Sequence, residues 1–188
     1  MTTRRYNGFT LIELIVSIAL FTVVAVIAMS AYISLISLDR RARATNDLVS
    51  NLSFVVDSMA RSIRTGTGYE CGGFGHGPNC TGGSSVFSFT DENGQPVTYI
   101  LQTSPYKTIG ECVGSSSCTN SSATPLTDAG ITVTNLKFYE DGVGTTGTEK
   151  SIQPHVIFTL TGSIKPDANT APITFTIEEM ATERRIEI

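Results

Sequence analysis

The sequence has no tryptophan, only two histidines, and charges on just 16% of its 188 residues. The missing tryptophan carries no functional message. The histidines, His76 in a glycine-rich stretch and His155 at the start of an apolar run, are placed for surface or edge positions. There is no GxSxG, and no glycine loop that opens a helix to cradle phosphate; the glycines after Thr65 follow a helical pattern instead. Glu140-Asp141 and Glu178-Glu179 are adjacent carboxylates, read as a turn and a strand end, not acids held apart for acid–base work. No catalysis and no cofactor are expected. Basic residues are the minority, 13 against 17 acidic, which argues against a nucleic-acid face. Proline and glycine are absent from residues 9–64, and between Thr10 and Leu38 the only charge is Glu13. Nothing in that length breaks a helix.

What fills it is an apolar run long enough to cross a bilayer, which takes ~20 residues at ~1.5 Å each. Arg4 and Arg5 precede it; Asp39, Arg40, Arg41 and Arg43 follow. The first pair favours a cytoplasmic N-terminus, although the second cluster opposes it, so charge alone decides weakly. That second cluster suits lipid head groups better than nucleic acid. A plain single-pass anchor explains the length. A secretory signal with cleavage near Ala28-Met29-Ser30 does not, because its apolar core is ~7–15 residues. Neither explains why a glycine, Gly8, stands directly before the run and a carboxylate, Glu13, five residues later.

The segment Gly8-Phe9-Thr10-Leu11-Ile12-Glu13-Leu14 closely resembles the class III signal of type IV pilins and type II secretion pseudopilins. The resemblance implies cleavage after Gly8 by a membrane-embedded prepilin peptidase, N-methylation of Phe9, and retention of the apolar helix. It further implies storage in the inner membrane with the head extracytoplasmic, then filament assembly with other pilin or pseudopilin subunits on an inner-membrane platform. An ionised carboxylate in lipid costs ~2.5–3.5 kcal/mol and normally has a partner. The amine created on Phe9 is one candidate; in the family, the amine of a neighbouring subunit is thought to meet this glutamate. The bland reading of Glu13 is a helix-start residue near the water interface. Many major pilins carry glycine and proline in the apolar half; their absence here points toward a pseudopilin or minor subunit. The run Phe175–Arg185 resembles the last strand of J-type minor pseudopilins and related minor pilins.

The helical pattern continues past the membrane. Leu48, Leu52, Val55, Val56, Met59 and Ile63 fall on one face, and Thr65-Gly66 ends the helix with Gly66 as the left-handed cap. The expected division is a leader 1–8, a transmembrane or filament-core half 9–38, an amphipathic half 39–65 and a head 66–188. The helix of about 9–64 is then roughly 80 Å long. In the head, 66–85 reads as a glycine-rich loop, followed by strands near 86–90 and 97–102 joined at Asp91-Glu92-Asn93-Gly94. Residues 103–130 read as a second long loop. Strands near 131–140, with a bulge at Asn135, then near 155–164 and 172–180 complete the pattern. The fold class expected is α+β, pilin-like: a long helix laid on an antiparallel sheet of four to five strands with one buried and one wet face.

All four cysteines, Cys71, Cys80, Cys112 and Cys118, lie beyond the apolar run. On an oxidising side an even count reads as disulfides, with nearest-neighbour pairing closing two short loops; the other two connectivities stay open. Cys71, His76 and Cys80 also have a ligand-like C-x4-H-x3-C spacing, but zinc sites favour tighter pairs and no fourth ligand is evident, so no metal is expected. Two functions from different classes follow. One is a structural filament subunit, minor by the argument above. The other is a membrane-anchored extracytoplasmic module that binds a ligand through its two disulfide-closed loops.

Overall fold

A computed structural model describes residues 8–77, 80, 82–103, 106–142 and 153–184. The leader residues 1–7, with Arg4 and Arg5, lie outside the described residues, as does Arg185. Two compact units divide at Arg43–Ala44. Helix α1 runs Leu11–Thr65 and contributes to both.

In the first unit, no residue from 8 to 43 is buried, although the helix carries an 18-residue window of mean hydropathy 2.7. Its hydroxyls are satisfied within the helix: Ser17, Thr22, Ser30 and Ser37 each donate to the carbonyl three residues back, at 2.8–2.9 Å. This removes the cost of carrying those hydroxyls into an apolar surrounding.

The second unit begins where burial begins. Ala44, Leu48, Leu52, Val55, Val56, Met59, Ala60 and Ile63 are the buried stripe of α1, at the three- and four-residue spacing that keeps one helix face inward. Each large side chain so buried stabilises by ~1.5–3 kcal/mol. The stripe packs on antiparallel strands, as expected, but these form two sheets rather than one of four to five strands. The first holds β1 (Thr67–Cys71), β2 (Val86–Thr90), β3 (Pro96–Leu101), β4 (Ile109–Val113) and β5 (Thr124–Pro125) in that order. The second holds β6 (Thr132–Asp141), β7 (His155–Ile164) and β8 (Ile173–Thr182). They meet where Ser84 and Phe138 exchange two backbone hydrogen bonds (2.8 and 2.9 Å) and Phe87 stacks on Phe138 at 5.1 Å. The bulge expected at Asn135 is present as a register shift between Val133 and Asn135.

Several expectations need correction. Residues 66–85 are not wholly loop, since β1 starts at once after the helix; its Thr-Gly-Tyr-Glu-Cys shows no apolar alternation to read. Residues 103–130 contain β4 and β5, concealed because β4 has a single aliphatic residue in the main core, Ile109, with Gly110 and Cys112 on its other face, and both residues of β5 are exposed. The segment around Ala123 covers the second face of the first sheet at β3 and β4. Ile100, Cys112 and Ala123 form a small satellite core there, and Ser88 and Thr98 share a buried hydroxyl pair at 2.9 Å. The second face of the first sheet is therefore not wholly wet. Gln102 holds this cover down: its amide donates to the carbonyls of Asn120 and Ala123 while its oxygen accepts from Thr108. In the second sheet β7 does alternate, with Val156, Phe158 and Leu160 buried, but β8 is an edge strand. Phe175 and Met180 are 37% and 53% exposed, and Glu178-Glu179 lie within β8 rather than at its end. Glu140-Asp141 end β6 instead of forming a turn.

Gly66 is not a left-handed cap either. The helix end is closed by other donors: Gly66 N–H and the Tyr69 hydroxyl both reach the Ile63 carbonyl, at 3.1 and 2.7 Å, and Arg184 N–H reaches that of Arg64 at 2.8 Å. The left-handed residue is Gly68 (φ 68°), inside the register irregularity of β1. Gly66 is required for space, because a Cβ there would stand 2.3 Å from the Phe89 ring. Gly66→Ala should therefore lower stability by about 1–3 kcal/mol in denaturant unfolding, and Phe89→Leu in the same chain should recover part of the loss. Equal stability of Gly66→Ala and the parent would remove the steric account.

The turn between β2 and β3 gives a second test. The Asp91 carboxylate accepts the N–H groups of Gln95 (2.7 Å) and Asn93 (2.9 Å). These bonds, Gln95 first, hold its pKa below the usual 3.8. A depressed carboxylate contributes stability above its unfolded pKa and loses it as pH falls through the folded value. Unfolding midpoints followed on the acid side of pH 3.8 should thus fall less steeply for Asp91→Asn than for the parent. Parallel curves would show that the turn carboxylate contributes nothing.

Candidate functional site

The N-terminal site is built from four residues, Gly8, Phe9, Thr10 and Glu13. A Cβ placed on Gly8 would meet nothing within 4 Å, and its φ is not left-handed. Neither packing nor backbone conformation among the described residues calls for glycine there, in contrast to Gly66 or to Gly162, whose added Cβ would stand 2.7 Å from Leu52. Phe9 is 81% exposed. Thr10 is the helix N-cap: its hydroxyl accepts Glu13 N–H at 3.4 Å, and its carbonyl takes Leu14 N–H at 3.2 Å. Thr10-Leu11-Ile12-Glu13 thus has the T-x-x-E spacing of a capping box, a signal overlooked in the sequence reading. Glu13 falls in the first turn, where a carboxylate suits the positive end of the helix. Its carboxylate has no partner among the described residues, so a charge is displayed on an otherwise apolar, wholly exposed surface. At the far end of that surface Asp39 and Arg43 pair at 2.9 Å across one turn.

The cysteines occupy a second location. Cys71 pairs with Cys80 and Cys112 with Cys118, with Cα–Cα distances of 5.7 and 5.8 Å, and no cysteine is free. The second bridge belongs to the satellite core. The first is buried in the main core, Cys71 closing β1 and Cys80 beginning a turn in which Gly83 N–H bonds back to the Cys80 carbonyl at 2.9 Å. His76 is exposed on the segment between them and His155 opens β7.

Sequence reasoning missed Glu140. Leu136, Phe138 and Glu140 share one side of β6, so the carboxylate follows two buried residues inward. Both of its oxygens are buried without a hydrogen-bond partner. Burial, with a smaller contribution from the Asp141 charge, pushes its pKa up to about 7. Burial also raises the Tyr69 phenol, with the charges of Glu183 and Glu140 adding to the effect. Alternation alone could have found Glu140. Arg64, paired with Glu179 at 3.1 Å across 115 positions, could not be found that way.

No curated protein and no solved structure matches the chain. Residues 3–29 match the family model described as the prokaryotic N-terminal methylation motif. That motif is the mark of a prepilin peptidase substrate, and with the apolar helix that begins at Leu11 it makes this chain similar to type IV pilin-like proteins.

Proposed function

We propose that this chain is a minor structural subunit of a type IV pilus-like or type II secretion pseudopilus filament. It is stored in the inner membrane with its N-terminus cytoplasmic and its head extracytoplasmic. Prepilin peptidase cleaves it after Gly8 and Phe9 is then methylated. The observation that carries this reading is the uncovered apolar surface from Phe9 to Leu38, set directly behind a glycine that the fold does not need. Lipid covers such a surface before assembly and the helices of other subunits cover it afterwards. Glu13 supports the same reading, since docking against the Phe9 amine of a neighbour gives a buried charge its partner and fixes register. No catalytic step is assigned to the chain, whose role in chemistry is that of a substrate.

The anchored binding module is the second reading, and the head supports it less. Within 103–130, Ala123 and the Cys112–Cys118 bridge are taken up in a small core against the first sheet, held by Gln102, while the residues between Val113 and Ser122 other than Cys118 stay exposed.

The decisive measurement is the intact mass and N-terminal sequence of the protein from native membranes. A chain that begins at methylated Phe9 and keeps the apolar helix is expected; a start at Met1 or near residue 30 would overturn the proposal. Glu13→Ala should leave the membrane level unchanged while lowering recovery in sheared filaments by about tenfold or more, the loss of one charged hydrogen bond. Undiminished incorporation would favour the anchored module.

A further inference from the structure

The ligand atoms of Cys71, Cys80 and Glu140 all lie within 4.8 Å of one another. They come from three separately anchored places. Cys71 ends β1, which is paired to β2, and Cys71 itself stands opposite Phe87. Cys80 begins the turn whose far end, Ser84, is fastened to Phe138 by two backbone hydrogen bonds. Glu140 lies two residues beyond Phe138 on the same side of β6. Two of the three ligands are therefore held by strands, one in each sheet, and the third by a turn hydrogen-bonded back to its own carbonyl.

The carboxylate is the unexplained member. Neutralising it removes its charge but leaves a buried hydroxyl and a buried carbonyl oxygen, each still without a partner. Nor does the disulfide satisfy it, because a disulfide sulfur has no proton to donate. A cation between the three ligands would. In tetrahedral zinc sites, ligands at ~2.0–2.3 Å from the metal stand about 3.5–3.8 Å from one another, close to the spacing of this cluster once the two sulfurs part. Two thiolates and one carboxylate suit a borderline-soft divalent ion better than calcium or magnesium, which want oxygen alone. The fourth position is left to water, since His76, on the same segment, is not part of that 4.8 Å cluster. The exposed His76 ring lies against Gly72 and Gly73, immediately after Cys71, and left-handed glycines at 72, 73, 75 and 77 surround it.

We propose that Cys71, Cys80 and Glu140 form a zinc-class metal site in the dithiol form of the head, with water as fourth ligand. A dithiol reductant supplies two electrons and two protons to the Cys71–Cys80 disulfide and is itself oxidised to a disulfide. The divalent ion then binds both sulfurs as thiolates, releasing their two protons to solvent, and Glu140 ligates as the carboxylate. The segment between the cysteines is thus held either by a covalent bond or by a metal. This inference does not depend on the filament reading, and its failure would leave that reading untouched.

The test is a cobalt(II) titration of the full chain in detergent, purified under a phosphine reductant. Tetrahedral ligand-field bands and thiolate-to-cobalt charge transfer are expected at one ion per chain, reversed by zinc and absent from the oxidised chain. Glu140→Gln, nearly isosteric and checked for folding in its oxidised form, should weaken binding by at least about tenfold. Cys71→Ser should abolish the bands, and Cys112→Ser/Cys118→Ser should leave them unchanged. Failure of the reduced chain to take up cobalt would overturn the proposal. So would bands indifferent to Glu140→Gln, or bands lost with Cys112 and Cys118 alone.

Discussion

The head depends on the contact between the buried stripe of α1 and the two sheets beneath it. Leu52 lies so close to β7 that residue 162 has no room for a side-chain carbon, and Gly66 gives the same intimacy to Phe89 on β2. The helix thus reaches a strand of each sheet at a glycine. The sheets are joined to each other at the Ser84–Phe138 bridge and the Phe87–Phe138 stack, and again where Val133 N–H reaches the Lys107 carbonyl at 2.7 Å. From the stack aromatic contacts run outward to Tyr69, Phe89, Tyr99 and Phe158 at ring separations of 5.6–5.9 Å. Close-packed interiors transmit strain, so a change at either glycine should be felt along the seam as well as at the helix.

Where period decided structure, the sequence was legible. The spacing from Leu48 to Ile63 predicted the buried helix face, and Asn93-Gly94 predicted the β2–β3 turn. The loss of phase near Asn135 predicted the bulge in β6. Legibility failed where burial is not signalled by apolar side chains. In β4 the main core receives one aliphatic residue, Ile109, and the opposite face offers Gly110, excluded from bearing a side chain by Ala123 and Gln102, and Cys112, read only as a disulfide partner. The second face of the first sheet is covered largely by serine, threonine and glutamine, whose burial rests on specific hydrogen bonds that no periodicity encodes. β8 failed in the opposite direction. Ile173, Phe175 and Ile177 alternate as a core strand should, yet they belong to an edge strand: Ile173 and Ile177 are only partly buried against the core and Phe175 is 37% exposed.

The candidate sites show the same division. Gly8, Phe9 and Glu13 were legible because they form a contiguous motif, and the structure adds only that nothing among the described residues explains them. Glu140 was half legible. Its phase with Leu136 and Phe138 could be read, but its approach to two cysteines some 60 to 70 positions earlier is a product of the sheet seam.

A residue's structural sufficiency therefore separates the two kinds of position in this chain. At Gly66, Gly110 and Gly162, contacts account fully for the absence of a side chain, and no further role need be sought. At Gly8 no contact and no backbone angle does so, at Glu13 a charge stands alone on an apolar surface, and at Glu140 a carboxylate is buried without a donor. Each of these three is costly or arbitrary within the isolated chain. A displayed charge bound for lipid needs a counter-charge, and a buried carboxylate needs a proton donor or a cation. In the readings proposed above the completing partner comes in each case from outside: a peptidase for the glycine, a neighbouring amine for Glu13, and a metal ion for Glu140.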